Sequence, residues 1–364
     1  MKDTNDYLSE DTHISFSEQL NVYQAPVHTE EEKIIQELAN SPDNTNFKDL
    51  DRSVLLSIIA SRRAIEGYHS PDKIAINIGS SRGATTLFEQ SHAQHLEDKF
   101  IPITTSPTTT LGNISSWVGQ DIKSSGLRMS HSITCSSSFH GILNGIAWIN
   151  AGMSEAVLAG GTEACITPYT IHQMKNMRIL SRQEHSYPSR PLDLDKNSNT
   201  MVLGEGACSL LLEPIKTSKK PLAFINGIGI GNETITHHTS ISSEGKCLER
   251  SMEMALKNYK KEEIDVIITH SPGTVKGDLA EMNAINTVFD GAIPCLTNNK
   301  WKIGHTFATS GVMSIEMALF MMDTQKFISL PYISDSKRPK RIKNILLNSV
   351  GFGGNAVSIL LSKP

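Results

Sequence analysis

The sequence predicts a layered α/β protein made of two similar halves. Three observations carry that expectation. From residue 52 onward, short apolar runs of strand character alternate with apolar runs at helical spacing. The 364 residues are too many for one small core and suit two α/β units. The order of elements is compatible with two similar halves split near Pro214–Pro221. We therefore expect a polar, partly disordered terminus at 1–22, an N-terminal half at 23–217 and a C-terminal half at 218–364.

Composition narrows the class. A net charge of −4 and a hydrophobic share of 38% describe a globular chain with no sign of nucleic-acid binding. No apolar run reaches the roughly eighteen residues of a membrane helix. The opening "MKDTNDYLSEDTHISFSEQ" has no apolar core of signal-peptide length, so a cytoplasmic protein is expected. The cysteines Cys135, Cys165, Cys208, Cys247 and Cys295 lie far apart with no CxxC pair, which speaks against a zinc site or a disulfide framework. The basic run "KRPKRIK" at 337–343 reads as solvated surface.

In chain order, "ANSPDNTNFKD" (39–49) is rich in turn formers and reads as loop. "RSVLLSIIASRRAIEG" (52–67) has helical spacing and stops at Gly67. "KIAINIGSS" (73–81) is a strand entering a turn, and "GATTLFEQSHAQHLE" (83–97) the helix after it. "LRMSHSIT" (127–134) alternates as a strand, residues 137–152 carry Ile142, Leu143, Ile146 and Ile149 at helical spacing, and "EAVLAGGTEA" (155–164) is an apolar strand. Residues 200–214 read as a buried strand with a turn, and 221–233 open the second half. There, 247–259 and 310–322 are helices, 264–274 is a strand and loop, and 342–363 are two strands joined by a glycine turn.

Cys135 stands where the strand of 127–134 gives way to the helix of 137–152. A helix N-terminus offers unpaired amides and the positive end of a dipole, which favour a thiolate or an oxyanion. Taken alone, the cysteine reads first as a small buried hydrophobe. Three other stretches bear on it. His270 follows an apolar strand in "THSPGTVKGDLAE" (269–281), Lys300 precedes His305 by five residues in "NNKWKIGHTFATSG" (298–311), and "NSVGFGGNA" (348–356) is a glycine-rich turn between strands.

This succession of cysteine, histidine, Lys-x4-His and GFGG resembles the β-ketoacyl synthases over residues 74–364, with "AGGTEACITP" (159–168) and "SRPLDLDKNSNTMVLGEGA" (189–207) adding to the likeness. The resemblance implies a thiolase fold, two similar halves in a five-layered α-β-α-β-α body. It also implies decarboxylative condensation of an acyl thioester with malonyl-acyl carrier protein. Carried over residue by residue, it makes Cys135 the acyl-accepting nucleophile, and His270 and His305 the pair that assists decarboxylation. Lys300 becomes the electrostatic lysine. Phe352 becomes a gate whose amide completes an oxyanion hole with that of Cys135. Thr274 and Asp278 fall on the loop after the first histidine, and Gly351, Gly353 and Gly354 surround the gate. No metal or redox cofactor is implied; substrates would arrive on the phosphopantetheine of an acyl carrier protein. The implied assembly is a homodimer, or a heterodimer with a related subunit. "NIGSSRGATTLFE" and "NTMVLGEGA" further resemble a bacterial branch associated with aryl polyene or flexirubin-type pigments.

The departures are specific. Ser271-Pro272 replaces Gly-Thr, the last turn (351–355) lacks a threonine, and the segment after Asp193 is about two residues longer than usual. The glutamate that usually pairs with the lysine falls at Ser314, with Glu316 two positions on and on another helix face. The family's opening strand and TG-x-G turn are replaced by polar residues. Two rival readings follow. A catalytically inactive chain-length-factor-like partner would be expected to lack the nucleophile, and a thiolase would need a second cysteine in a glycine turn, which Cys295 does not occupy.

Overall fold

Strands that alternate between two apolar environments set the architecture. In the computed structural model, residues 4–364 are described except 43, 183–185, 219, 235–240 and 334–336. The N-terminal half contains β1 (Ser15–Ser17), β2 (Val22–Ala25), α1 (Thr29–Ala39), α2 (Arg52–Ala64), β3 (Ala75–Gly79), α3 (Thr85–Leu96), α4 (Thr105–Thr109) and α5 (Asn113–Asp121). It continues with β4 (Arg128–His131), α6 (Ser137–Asn150), β5 (Val157–Glu163), α7 (Pro168–Asn176), β6 (Leu203–Gly204) and β7 (Gly206–Leu212). The C-terminal half contains β8 (Phe224–Asn232), α8 (Lys246–Ala255), β9 (Val266–Ile268), α9 (Val275–Phe289), β10 (Cys295–Thr297), α10 (Lys300–Ile303), α11 (Ser310–Thr324), β11 (Asn344–Gly351) and β12 (Asn355–Ser362).

The first large sheet has the order β4-β3-β5-β7, with β3 parallel to both neighbours and β7 antiparallel to β5. The second has the order β10-β9-β11-β12-β8, parallel through β11 and antiparallel beyond it. Side chains alternate across each sheet, as the two-residue strand period requires. Val157 and Ala159 of β5 face the same central core as Ile345 and Leu347 of β11, together with Phe139 and Ile142 of α6 and Met317 and Met321 of α11. Leu158, Ile76 and Ile78 face outward against Val54 and Ile58 of α2. Leu346 and Leu360 face the other way, against Met252 of α8 and Ile285 of α9. Helices therefore lie outside each sheet and between the two, which makes five layers. Among the described residues, no helix is long and apolar enough to cross a membrane.

Residues 1–3 lie outside the described residues; within 4–22, part of the segment is tied to the body and part is exposed. Tyr7 is buried in the central core, its ring 5.1 Å from that of Phe320, and its hydroxyl donates to Glu316. The His13 amide donates to the Lys302 carbonyl at 2.8 Å, Thr12 Oγ1 to the Trp301 carbonyl at 3.0 Å, and Lys302 Nζ to the Asp11 carbonyl at 2.6 Å. Bonds to main-chain carbonyls hold this strap, so no apolar pattern announces it. The expected loop at 39–49 includes a helical turn over Thr45–Asp49, anchored by buried Phe47.

Candidate active site

Cys135 sits on a tight turn between β4 and α6. Thr134 has φ 49°, a left-handed conformation that is costly for a β-branched residue. Three hydrogen bonds hold the turn: Ser137 Oγ donates to the Thr134 carbonyl at 2.6 Å, the Ile133 amide to Ser137 Oγ at 2.8 Å, and Ser349 Oγ to the Cys135 carbonyl at 3.2 Å. Gly351 lies against this turn. A Cβ there would stand 2.0 Å from Thr134 Oγ1 and 2.6 Å from the Ile133 carbonyl oxygen, so only glycine allows the approach. The main chain of the GFGG turn thus runs beside that of the cysteine. Phe352, 39% exposed, sits at the rim; Gly353 has φ +93°.

His270 follows β9. One buried carboxylate, Glu281 of α9, fixes its loop by accepting from the amides of His270 (2.9 Å) and Ser271 (2.6 Å), from Ser271 Oγ (2.9 Å) and from Asn348 Nδ2 (3.0 Å). Thr274 caps α9 by accepting from the Gly277 amide at 3.2 Å. Asp278 sits one turn behind, buried, and accepts from Lys196 Nζ at 2.6 Å and from the amides of Leu192 and Gly273 at 3.0 Å. Burial raises the Asp278 carboxyl to about 6 against the pull of Lys196. Thr274 and Asp278 therefore support the loop from behind.

His305 is held by the other half. Its amide donates to the Val202 carbonyl at 2.7 Å, and the Gly204 amide donates to its carbonyl at 3.1 Å. Gly304, at φ +67°, allows this contact with residues 203–204. His305 Nδ1 lies 2.8 Å from Ser310 Oγ. A serine hydroxyl donating there leaves the ring proton on Nε2. Asn298 ties the two histidine loops together, donating to the Thr269 carbonyl at 2.9 Å and accepting from the Lys300 amide at 2.7 Å.

These elements bring Cys135, His270 and His305 together. One heteroatom from each lies within 4.8 Å of the others, and all three residues are buried. The two imidazole rings meet edge-on with centroids 5.2 Å apart. Lys300 is buried beside them. Desolvation lowers it to about 8 against the attraction of Glu281, Cys135 and Asp278. Burial, and then the charge of Lys300, hold both histidines well below their ordinary value, so they are neutral imidazoles at neutral pH. Burial, reinforced by Glu163, pushes the Cys135 thiol up to about 12, while Lys300 opposes that rise. At that value the sulfur rests as a thiol. Three soft and nitrogen donors at this spacing are also a possible metal grouping. A buried ammonium beside them makes a poor cation site.

The doubt over a glutamate partner for Lys300 is borne out among the described residues: Glu316 takes the Tyr7 hydroxyl. Sequence reading missed Glu281, Asn298 and Ser310. It also gave no role to Glu163, which accepts from Ser80 Oγ at 3.0 Å and from the amides of Ser81, Arg82 and Ala308 at 2.8, 3.1 and 3.2 Å. A carboxylate in an otherwise apolar, buried strand is the signal that could have found Glu163; Glu281 stands among other polar residues of α9 and offers none.

With the site described, its relatives can be compared. The family model for "Beta-ketoacyl synthase, N-terminal domain" matches residues 21–218, and that for the C-terminal domain matches 222–331. The chain is 26% identical over 350 residues to 3-oxoacyl-[acyl-carrier-protein] synthase I of the Arabidopsis thaliana chloroplast, covering 86% of this chain and 72% of that one. It is 28% identical over 352 residues to 3-oxoacyl-[acyl-carrier-protein] synthase 1 of Buchnera aphidicola, covering 88% and 84%. The solved ishigamide ketosynthase/chain length factor superposes with a TM-score of 0.84 at 19% identity, covering 99% and 94%, which is a likeness of fold.

Proposed function

The chain belongs to the β-ketoacyl synthase family, and we propose that it condenses an acyl group held on Cys135 with malonyl-acyl carrier protein. The observation that carries this reading is the convergence of buried Cys135, His270 and His305 within 4.8 Å. The chain is thus an acyltransferase of the condensing type, and its fold is the five-layered thiolase fold.

The reaction has two parts. In the first, the Cys135 sulfur attacks the carbonyl of an acyl thioester, the carrier thiol leaves, and the acyl group passes to the enzyme. The amides of Cys135 and Phe352, on adjoining main chains, would meet the oxyanion. In the second, malonyl thioester loses carbon dioxide. The electron pair from the broken carbon–carbon bond moves to the thioester oxygen as an enolate, which two neutral imidazole N–H groups can hold. The enolate carbon then attacks the acyl carbonyl on Cys135, a carbon–carbon bond forms, and the thiolate departs. Lys300 has a double role in this scheme: its charge disfavours imidazolium and lowers the cost of thiolate. The scheme is thioester chemistry throughout and needs no metal or redox group.

The carrier protein follows from the reaction, and a dimer, with itself or with a related subunit, from the family and from the ketosynthase/chain length factor pairing of the structural neighbour. We place the chain in the pigment-associated branch on the strength of 77–89 and 199–207. Intact mass of the purified protein after incubation with acyl-carrier protein tests the reading. A mass gain of one acyl group, localised to Cys135 by peptide mapping and discharged with elongation when malonyl-carrier protein is added, is expected. An unlabelled Cys135 would leave the inactive-partner reading in its place.

A further inference from the structure

His305 stands between two helices. α10 ends at Ile303, and α11 begins at Ser310, whose hydroxyl faces His305 Nδ1. A helix as short as α10 leaves its last carbonyls without helical partners. The His305 amide, which a continued helix would aim at the Trp301 carbonyl, donates to Val202 instead. The terminal strap supplies the missing donors. Thr12 Oγ1 donates toward the carbonyls of Trp301 (3.0 Å) and Lys302 (3.2 Å), and the His13 amide donates to that of Lys302 at 2.8 Å. Lys302 answers from α10. Its Nζ donates to the Asp11 carbonyl at 2.6 Å, the Ser9 carbonyl at 2.9 Å and Ser9 Oγ at 3.1 Å, so its three protons all go to the strap. Burial lowers this amine, and Asp6 and Asp11 of the strap oppose the fall. The strap is itself braced: His13 Nε2 lies 2.9 Å from Asp6 Oδ2, and His28 Nε2 lies 2.8 Å from His13 Nδ1. Tyr7 ties it to Glu316 and Phe320 of α11. It therefore holds the helices on both sides of His305. The family match begins at residue 21, so residues 4–20 lie outside it.

We propose that Lys302 is a positioning residue: by locking α10 to residues 9–13 of the strap, it fixes where Lys300 and His305 stand relative to Cys135, and decarboxylation depends on that lock. The proposal rests on the condensing reading above. Its physical basis is the weakness of α10 taken alone. Four residues do not make a stable helix, so bonds from outside must set its position. Lys300 and Lys302 are two positions apart and face different ways, one toward the histidines and the other into the strap. A shift of the strap is therefore passed along one short rigid piece to the groups that would hold the enolate. Misplacing such groups by about 1 Å costs about 100-fold in rate.

The test uses the full chain as wild type, Lys302→Met, Lys302→Arg and Thr12→Val. Three readouts are taken: acylation of Cys135 by butyryl-carrier protein, carbon dioxide release from labelled malonyl-carrier protein, and amide hydrogen exchange by mass spectrometry. Lys302→Met keeps the apolar stem and removes the three donors. It is expected to lower kcat for carbon dioxide release about 10–100-fold, with KM and the acylation of Cys135 little changed. Exchange should quicken over 300–309 and stay slow over 132–138. Lys302→Arg, which keeps charge and donors, should recover part of the rate. Thr12→Val should give a smaller loss in the same direction, and it carries the test if Lys302→Met does not fold. Faster exchange over 300–309 with unchanged carbon dioxide release overturns the proposal, as does an equal loss of acylation and release. A wild type that releases no carbon dioxide overturns the condensing reading instead, while exchange still reports whether the strap holds α10.

Discussion

The two halves are built alike, and one strand separates them. β3, β5 and β7 pair as β9, β11 and β12 do, and α2 lies on β7 as α8 lies on β12. The likeness reaches single hydroxyls. Ser61 Oγ of α2 is 3.2 Å from Ser209 Oγ of β7, and Ser251 Oγ of α8 is 2.8 Å from Ser358 Oγ of β12. The C-terminal sheet then adds β8, whose Gly227, Gly229 and Gly231 pass directly beneath the carbonyls of Ala255, Ser251 and Cys247. The outer edge of β7 has no strand among the described residues, and Leu210, Leu211 and Leu212 stay half-buried. The proposed site leaves the sheet elsewhere. Cys135 follows β4, just as Lys300 and His305 follow its counterpart β10, so the loops that hold the proposed site emerge from the C-terminal ends of parallel strands in both halves. An edge strand affects stability and association; on the proposed reading the loops at the strand ends carry the reaction.

The same division predicts how the halves fail. The largest effect belongs to the N-terminal half: Cys135→Ala is expected to abolish chain elongation, measured as labelled product, because no acyl-enzyme forms. Next come the two histidines of the C-terminal half. His270→Ala and His305→Ala should each slow carbon dioxide release from malonyl-carrier protein by about 10²–10³-fold, the usual cost of one lost oxyanion donor. Equal loss of acyl transfer to Cys135 would assign them to the cysteine instead.

Stability should separate the sheets. Ile359 of β12 is fully buried, so Ile359→Ala is expected to cost about 2–5 kcal/mol by chemical denaturation. Leu211→Ala on the open strand should cost less than half as much, and equal losses would mean that something covers the β7 edge in solution. A smaller change tests Lys300. Its charge lowers both histidines, so Lys300→Met should raise their pKa values and move the acid limb of the decarboxylation profile to higher pH. An unmoved limb would confine the lysine to a structural role.

Much of this was legible in the sequence where one local pattern decides the outcome. The strand-to-helix junction at Cys135, the apolar strand before His270 and the two strands around GFGG are read from alternation and glycine alone. α9 was not, because its first turns bury Asp278 and Glu281 and so mask the apolar face. The terminal strap was not, because backbone carbonyls hold it. Glu281 clamps the loop of His270 much as Glu163 clamps 80–82, and each acts on a loop that follows another strand. Sequence spacing carries no signal of such contacts.

The central claim divides one reaction between two halves: the acyl group on Cys135, decarboxylation on His270 and His305. The most direct measurement follows both events in one sample, the acyl occupancy of Cys135 by intact mass and the carbon dioxide released from labelled malonyl-carrier protein. The account predicts crossed results. Cys135→Ala releases carbon dioxide with no acyl-enzyme, and His270→Ala and His305→Ala form acyl-enzyme with little release. Loss of both signals together in every variant would contradict it.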